Sequence, residues 1–164
     1  MKRFIALILC IIAVISLCSC QNLLDSETGP RDYDEFSIEI PEAFKEVEVE
    51  GYAAYFVYDN VYVWAIKDSF VNLDGSSEWE VANYADRIHY VNALKSPTPV
   101  TVTDGLYNIE YTVFNEMKNI NFTYFTVMYK GSDAFWMVQF ACDENEYAEY
   151  KPHFIAWAKT VTIG

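Results

Sequence analysis

Three pairs of β-rich segments, each pair joined by a short turn, constrain the fold of this chain more than any other feature. The pairs occupy residues 51–67, 99–114 and 122–141, and Asp, Asn, Gly or Ser residues stand at the turns. In the segment LYNIEYTVF, apolar and polar residues alternate with the period of a strand that has one wet face. Hairpin turns make neighbouring strands antiparallel, so the three pairs predict a largely antiparallel sheet.

One further strand and a central helix are also readable. The alternating segment FSIEI, at residues 36–40, predicts the strand. Residues 77–94 predict the helix, because Ser77 and Glu80 form a capping-box pattern in front of an amphipathic stretch.

The C-terminal part of the chain predicts a second helix. Residues 143–161 have helical spacing, and Pro152 within them predicts a kink or a restart. The resulting order, β-ββ-α-ββ-ββ-α, predicts about seven strands and two main helices packed on the sheet. Residues 36–164 are therefore expected to form one α+β domain.

The N-terminus has the pattern of a secretory signal peptide. Two cations, Lys2 and Arg3, precede an unbroken apolar run from Phe4 to Leu17. This run is shorter than the roughly 20 apolar residues of a membrane-spanning helix, so a transmembrane anchor is the less favoured alternative. Residues 1–19 are therefore predicted to be a signal peptide.

The end of this segment, Leu17-Cys18-Ser19-Cys20, resembles a bacterial lipobox, in which Leu and a small residue precede the Cys that receives a diacylglyceryl group. Reading Cys18 as the acceptor would put bulky Leu17 at the cleavage position. The resemblance therefore implies lipidation at Cys20, with acyl chains such as palmitate holding a bacterial lipoprotein stably at an extracytoplasmic membrane surface. An ordinary secretory cleavage site with incidental cysteines is the alternative.

The segment after the lipobox and the charge of the chain limit the kinds of partner. Residues 20–35 contain Gly29-Pro30 and several acids but few apolar residues, so they predict a flexible tether that begins at the lipidated Cys20. The net charge of the chain is −13 at neutral pH. A balance this acidic argues against binding nucleic acid, which requires clustered Lys and Arg.

Few residues suggest catalysis or the binding of a metal or cofactor. After removal of the signal and acylation of Cys20, Cys142 has no cysteine left to pair with, and its acidic neighbours would raise its pKa; a buried inert thiol is favoured. His89 and His153 are expected to be surface residues rather than general bases. No spacing of His and Cys predicts a zinc site, and no motif predicts a cofactor.

The acidic residues give no stronger signal. Asp74, Glu78 and Glu80 lie together at a predicted helix start, where they favour the helix dipole. They lack the alternating ligands and closing Glu of a calcium loop. The sequence therefore predicts no catalytic residue and no metal site.

Aromatic residues are unusually frequent, at 17% of the chain. Most occupy positions where strand or helix periodicity predicts core. We do not expect all of those in the first half of the domain to be buried by a sheet that two helices only partly cover, and exposed ones could form a protein or glycan contact surface. Core packing is the favoured alternative. The residues concerned are Tyr33, Tyr52, Tyr55, Tyr58, Tyr62, Trp64 and Trp79.

The segments FSIEIPEAFKE, AAYFVYDNVYVWAIKDSF and DAFWMVQFACDENEYAEYKPHFIAWAKTVT, with the helix between them, resemble the PsbP-like superfamily over residues 36–163. That superfamily also includes a eukaryotic Ran-binding nucleotide-release factor and many bacterial lipoproteins. The resemblance implies an antiparallel sheet sandwiched by helices, no catalytic residues, and binding to proteins or membrane complexes.

The sequence thus predicts a membrane-anchored extracytoplasmic lipoprotein that acts as a non-catalytic binding or accessory module. Its expected partners are the membrane, through the lipid, and an envelope protein or complex; no cofactor is expected. An enzyme that uses surface carboxylates and a histidine, as a hydrolase would, is the alternative. A cleft of converging polar groups would favour that alternative.

Overall fold

The computed structural model describes residues 23–73 and 76–164. Two α-helices lie in this part of the chain, α1 (Val81–Val91) and α2 (Tyr147–Ala158). Short 3-10 turns occur at Leu23–Asp25, Phe70–Leu73, Ser76–Glu78 and Ala93–Lys95. The strands are β1 (Thr28–Asp32), β2 (Phe36–Pro41), β3 (Lys45–Glu46), β4 (Ala54–Tyr58), β5 (Val61–Ser69), β6 (Thr101–Thr103), β7 (Leu106–Asn115), β8 (Ile120–Lys130), β9 (Ala134–Asp143) and β10 (Thr162–Ile163).

The strands form two sheets. The larger has seven strands in the order β3-β4-β5-β9-β8-β7-β6 and is antiparallel throughout, whereas the smaller has the order β1-β2-β10. The predicted α+β class, with a mainly antiparallel sheet and two helices, is confirmed. The sequence predicted about seven strands because β3 and β10 have only two residues each, too few to show a period.

The large sheet is the middle layer of three. On one face it packs against α2 and the small sheet, and Phe56, Val63, Phe125, Phe140 and Phe154 are among the buried residues there. On the other face, α1 lies over β7 and β8. A smaller apolar cluster fills that contact; its buried residues are Tyr84, Ala85, Ile88, Ile109, Tyr111, Met128 and Phe135.

Residues 23–35 differ from the flexible tether that the sequence predicted. Leu23 is 1% exposed and belongs to the larger core cluster. Residues 28–32 pair with β2 in antiparallel register. Gly29 and Pro30 hide this strand from sequence reading, but an edge strand tolerates Pro because its outer N–H has no ladder partner. Residues 1–22, with Cys20 and the signal peptide, lie outside the described residues.

Two helix boundaries also differ from the prediction. The N-cap of α1 is Glu80 rather than Ser77, and its capping box is closed by Asn83, whose Oδ1 accepts from the Glu80 N–H at 2.9 Å. Ser77 lies instead in a separate 3-10 turn. Helix α2 is continuous across Pro152, so no restart occurs there. Among the described residues, no helix combines the length and the apolar character needed to cross a bilayer.

Candidate functional site

Helix α1 covers only part of its face of the large sheet. Tyr84 fixes the helix there, because its ring stacks on Phe135 at 4.6 Å between centroids and its hydroxyl donates to Asp68. Beyond the helix, aromatic side chains of β4, β5, β7 and β8 occupy the same face. We call this set the aromatic face; it consists of Tyr52, Tyr55, Tyr62, Trp64, Tyr111, Phe122 and Tyr124.

Strand register brings these residues together from distant parts of the sequence. Tyr55 of β4 lies opposite Trp64 of β5, and Tyr111 of β7 lies opposite Tyr124 of β8. Residues directly opposite one another in an antiparallel pair share a face. The register across β9 places Tyr62, Tyr124 and Tyr111 in one row, whereas Tyr55 and Trp64 belong to the next row, which continues through Gln139 and Thr126. Strand β9, which lies between β5 and β8, contributes no ring to either row.

In the row that contains Tyr62 and Tyr124, the residue of β9 is Ala141, which lies opposite Tyr62 on one side and opposite Tyr124 on the other. A methyl group between two tyrosines leaves a gap in this row. A cavity of about 220 Å³ opens there. Its lining residues are Tyr55, Tyr62, Trp64, Asn115, Met117, Lys118, Phe122, Tyr124 and Ala141, which include one cation and no acid.

Ring-to-ring contacts hold the cavity walls in place. Tyr55 and Trp64 stack with centroids 5.5 Å apart, and the Tyr124 ring meets Trp64 edge-on at 5.8 Å. Tyr62 and Phe122 make a further edge contact at 5.5 Å. Such pairs add about 0.5–1.5 kcal/mol each beyond area burial, so the walls are organised without a ligand.

A buried hydrogen-bond network lies beside the cavity. Trp64 Nε1 donates to Gln139 Oε1 at 2.8 Å. Gln139 Nε2 donates to the Tyr111 hydroxyl at 2.5 Å and to Thr126 Oγ1 at 2.8 Å. Both ends of the amide therefore have partners, which fixes the orientation of Gln139 and holds the Trp64 indole in one position.

Burial keeps Tyr55, Tyr111 and Tyr124 of the aromatic face neutral at physiological pH. Burial raises the pKa of Tyr124 to about 12, and burial likewise raises the pKa values of Tyr55 and Tyr111. Each hydroxyl therefore keeps its proton and can both donate and accept a hydrogen bond. Stacked rings with neutral hydroxyls are suited to binding rather than to acid–base chemistry.

Two lysines lie against this face. Lys118, from the turn between β7 and β8, donates from Nζ to Asn60 Oδ1 at 2.7 Å and to the Tyr62 hydroxyl at 2.6 Å. The same ammonium lies 5.2 Å from the centroid of the Tyr62 ring. Lys95 Nζ lies 4.9 Å from the centroid of the Tyr111 ring. The Lys95 ammonium therefore occupies a cation–π position, whereas the Lys118 ammonium lies at the hydroxyl end of the Tyr62 ring.

The aromatic residues that the sequence singled out divide between the two faces of the sheet. Tyr52, Tyr55, Tyr62 and Trp64 belong to the aromatic face. Tyr33 and Tyr58 pack against the larger core cluster, and Trp79 packs with the smaller cluster beneath α1. Alternation along β5 indicated that Tyr62 and Trp64 share a face, but no sequence signal identified Ala141, Gln139 or Tyr124 as their neighbours.

The other candidate residues are not brought together. His89 lies in the last turn of α1, and His153 lies in α2, on the opposite face of the large sheet. Burial raises the pKa of the Cys142 thiol to about 12, and the carboxylates of Glu146 and Asp143 add to the effect. Cys142 is therefore a buried, protonated thiol, which is the inert state.

Carboxylates form no metal-binding cluster in the part of the chain that the structure describes. Glu80 caps α1, Glu78 lies in the preceding 3-10 turn, and Asp74 falls outside the described residues. Within residues 23–73 and 76–164, no three His, Cys, Asp or Glu residues are placed to hold a metal ion. Glu110 of β7 accepts from Lys151 at 2.9 Å and from Tyr147, which ties α2 to the sheet.

No protein-family model matches the sequence, and no curated protein is significantly similar to it. Solved structures are similar in fold. The solution structure of cyanobacterial PsbP (CyanoP) from Synechocystis sp. PCC 6803 matches with a TM-score of 0.53 and 11% identity, over 91% of this chain and 99% of that one.

A crystal structure from Bacteroides thetaiotaomicron VPI-5482 also matches with a TM-score of 0.53, at 12% identity, over 85% of this chain; the match spans about half, 48%, of that longer chain. Identities this low define the fold and transfer no functional residue. The chain has a PsbP-like α+β fold.

Proposed function

We propose that this protein is an extracytoplasmic lipoprotein, anchored at Cys20, that serves as a non-catalytic binding module for an envelope component and binds through its aromatic face. The observation that carries the binding role is the cavity above Ala141. It is walled by aromatic rings, supported by the Gln139 network, and free of carboxylates among its lining residues. Rings with neutral polar tips, organised before binding, are the composition of recognition sites.

The composition of the lining supports a role without catalysis. Burial raises the pKa values of Tyr55 and Tyr124, and neither a histidine nor a carboxylate lines the cavity. A general base must lie within hydrogen-bonding reach of the proton that it removes, and the lining supplies no histidine or carboxylate for that task.

The folded domain begins so close to Cys20 that a lipid there would limit its distance from the membrane. Leu23 is buried in the core only three residues after Cys20. At 3.3–3.6 Å per residue, three residues span at most about 11 Å. A lipid on Cys20 would therefore hold the domain next to the headgroups, where its ligands would be components of the envelope surface.

The anchor is tested by metabolic labelling with palmitate. We expect label on the wild-type protein and none on Cys20→Ala, with Cys18→Ala as the matched control that keeps its label. Persistent labelling of Cys20→Ala would contradict the assignment of the acceptor.

The binding role is tested by photo-crosslinking in intact cells. A photoreactive amino acid at Met117, which lines the cavity and is 95% exposed, should capture a specific envelope component. The same amino acid at Val71, which is 88% exposed beyond the far end of β5, is the control. Equal products from both positions, or no product from position 117, would contradict the proposal.

A further inference from the structure

We infer that the cavity above Ala141 binds a pyranose ring that carries a carboxylate, of the kind found in acidic polysaccharides. This inference rests on the proposed binding function and names the ligand class for that site. Three features of the cavity carry it: its volume, the charge of the lining, and the polar groups among the aromatic walls.

The cavity has room for one ring. Its walls come from strands to either side of β9, whose backbones are about 9.5 Å apart at 4.7–4.9 Å per strand spacing. The side chains of these strands lean together over Ala141, because Tyr62 meets Phe122 at 5.5 Å and Trp64 meets Tyr124 at 5.8 Å between ring centroids. The volume of about 220 Å³ is below the roughly 300–1,000 Å³ of pockets that enclose larger ligands. A single ring, as the unit of a longer chain that continues outside, fits this space.

The charge of the lining selects an anion. The chain has 24 acidic and 11 basic residues, yet the cavity lining has one lysine and no acid. Lys118 Nζ has neutral oxygen atoms as its hydrogen-bond acceptors, those of Asn60 and Tyr62. A cation would therefore meet like charge, whereas a carboxylate would gain a charge-assisted hydrogen bond.

The polar groups favour a sugar over an aromatic acid. The hydroxyls of Tyr55, Tyr62 and Tyr124 and the amide of Asn115 belong to residues that line the same cavity. The Tyr62 hydroxyl and Asn115 Oδ1 already accept from Lys118. An aromatic acid would use the rings and Lys118 but would make no hydrogen bonds with the hydroxyls of Tyr55 and Tyr124. A pyranose places C–H bonds against the rings and offers hydroxyls to the polar tips, so it uses both kinds of surface.

The test is calorimetric titration of the full chain in detergent with an oligogalacturonate, with the neutral oligosaccharide maltotetraose and with benzoate. We expect the oligogalacturonate to bind at least 10-fold more tightly than either other probe. Equal binding of the acidic and neutral sugars, tighter binding of benzoate, or no binding of the oligogalacturonate would overturn the inference.

Two variants locate the binding. Lys118→Gln should reduce oligogalacturonate affinity to the level of maltotetraose, whereas Lys130→Gln, which removes the same charge at the far end of β8, should leave it unchanged. Ala141→Leu should fill the floor of the cavity and abolish binding; because Ala141 is only 1% exposed, its thermal unfolding curve is recorded to show that the variant is folded at the titration temperature. Equal effects of the two lysine variants, or unaltered binding by Ala141→Leu, would overturn the assignment.

These outcomes are separable from failure of the proposed function. If crosslinking from position 117 captures a protein and the oligogalacturonate does not bind, the ligand class is wrong and the binding role stands. If crosslinking from position 117 captures nothing and the oligogalacturonate does not bind, both the binding role and the ligand class are wrong.

Discussion

Replacement of Gln139 by Leu should destabilise the domain and loosen the aromatic face, because the amide of Gln139 organises the rings around it. The side chain is 6% exposed and makes hydrogen bonds to Trp64, Tyr111 and Thr126. Each bond contributes about 0.5–1.5 kcal/mol net, and each buried group that is left unpaired costs about 1–3 kcal/mol. The added apolar surface of Leu offsets part of this loss.

The net loss should therefore be about 2–4 kcal/mol in the free energy of unfolding. For a domain of this size, about 2–4 °C per kcal/mol gives a fall in Tm of roughly 4–16 °C. The assay is urea unfolding of the full chain followed by circular dichroism. Thr126→Val, which removes one of the three bonds, is the graded control and should cost about 1 kcal/mol. A loss below about 0.5 kcal/mol for Gln139→Leu would refute the role given to the network.

Three further predictions concern stability and reactivity. Leu23→Ala should reduce the free energy of unfolding by about 2–5 kcal/mol, measured by urea unfolding, because Leu23 is buried in the core. An unchanged value would instead support the flexible tether that the sequence predicted. The free energy of unfolding should fall as pH rises from about 10 to about 12, because burial raises the pKa of Tyr124 from 10.0 to about 12 and the unfolded chain releases that proton first. Tyr124→Phe should reduce this slope without abolishing it, because burial also raises the pKa values of other groups such as Tyr55 and Tyr150; an unaltered slope would contradict the prediction. Iodoacetamide should alkylate Cys142 in urea but not in the folded protein, measured by peptide mass spectrometry; alkylation of the folded protein would show that the thiol is accessible.

The hairpins were readable because their strands are long and their turns carry Asp, Asn or Gly; Asp59 and Asp104, for example, have the positive φ angles typical of such turns. Strand β1 was not readable, since Gly29 and Pro30 disfavour strands and its stability depends on pairing with β2. Local sequence cannot supply that tertiary contribution.

The candidate site was readable only in part. Alternation placed Tyr62 and Trp64 on one face of β5, but the second strand that pairs with β5 is β9, in which Gln139 lies opposite Trp64 from 75 residues later in the chain. The gap at Ala141 exists only because this register puts a methyl group between Tyr62 and Tyr124. Likewise, Gln139 reads as a polar residue in an apolar strand until its register with Trp64 is known.

The most direct test of the central claim is crosslinking from position 117 in intact cells, compared between the wild-type background and Ala141→Leu. If the aromatic cavity is the binding site, the product formed in the wild-type background should be lost when Leu fills the gap, although position 117 remains exposed. An undiminished product in the Ala141→Leu background would contradict the claim that the ligand occupies the cavity.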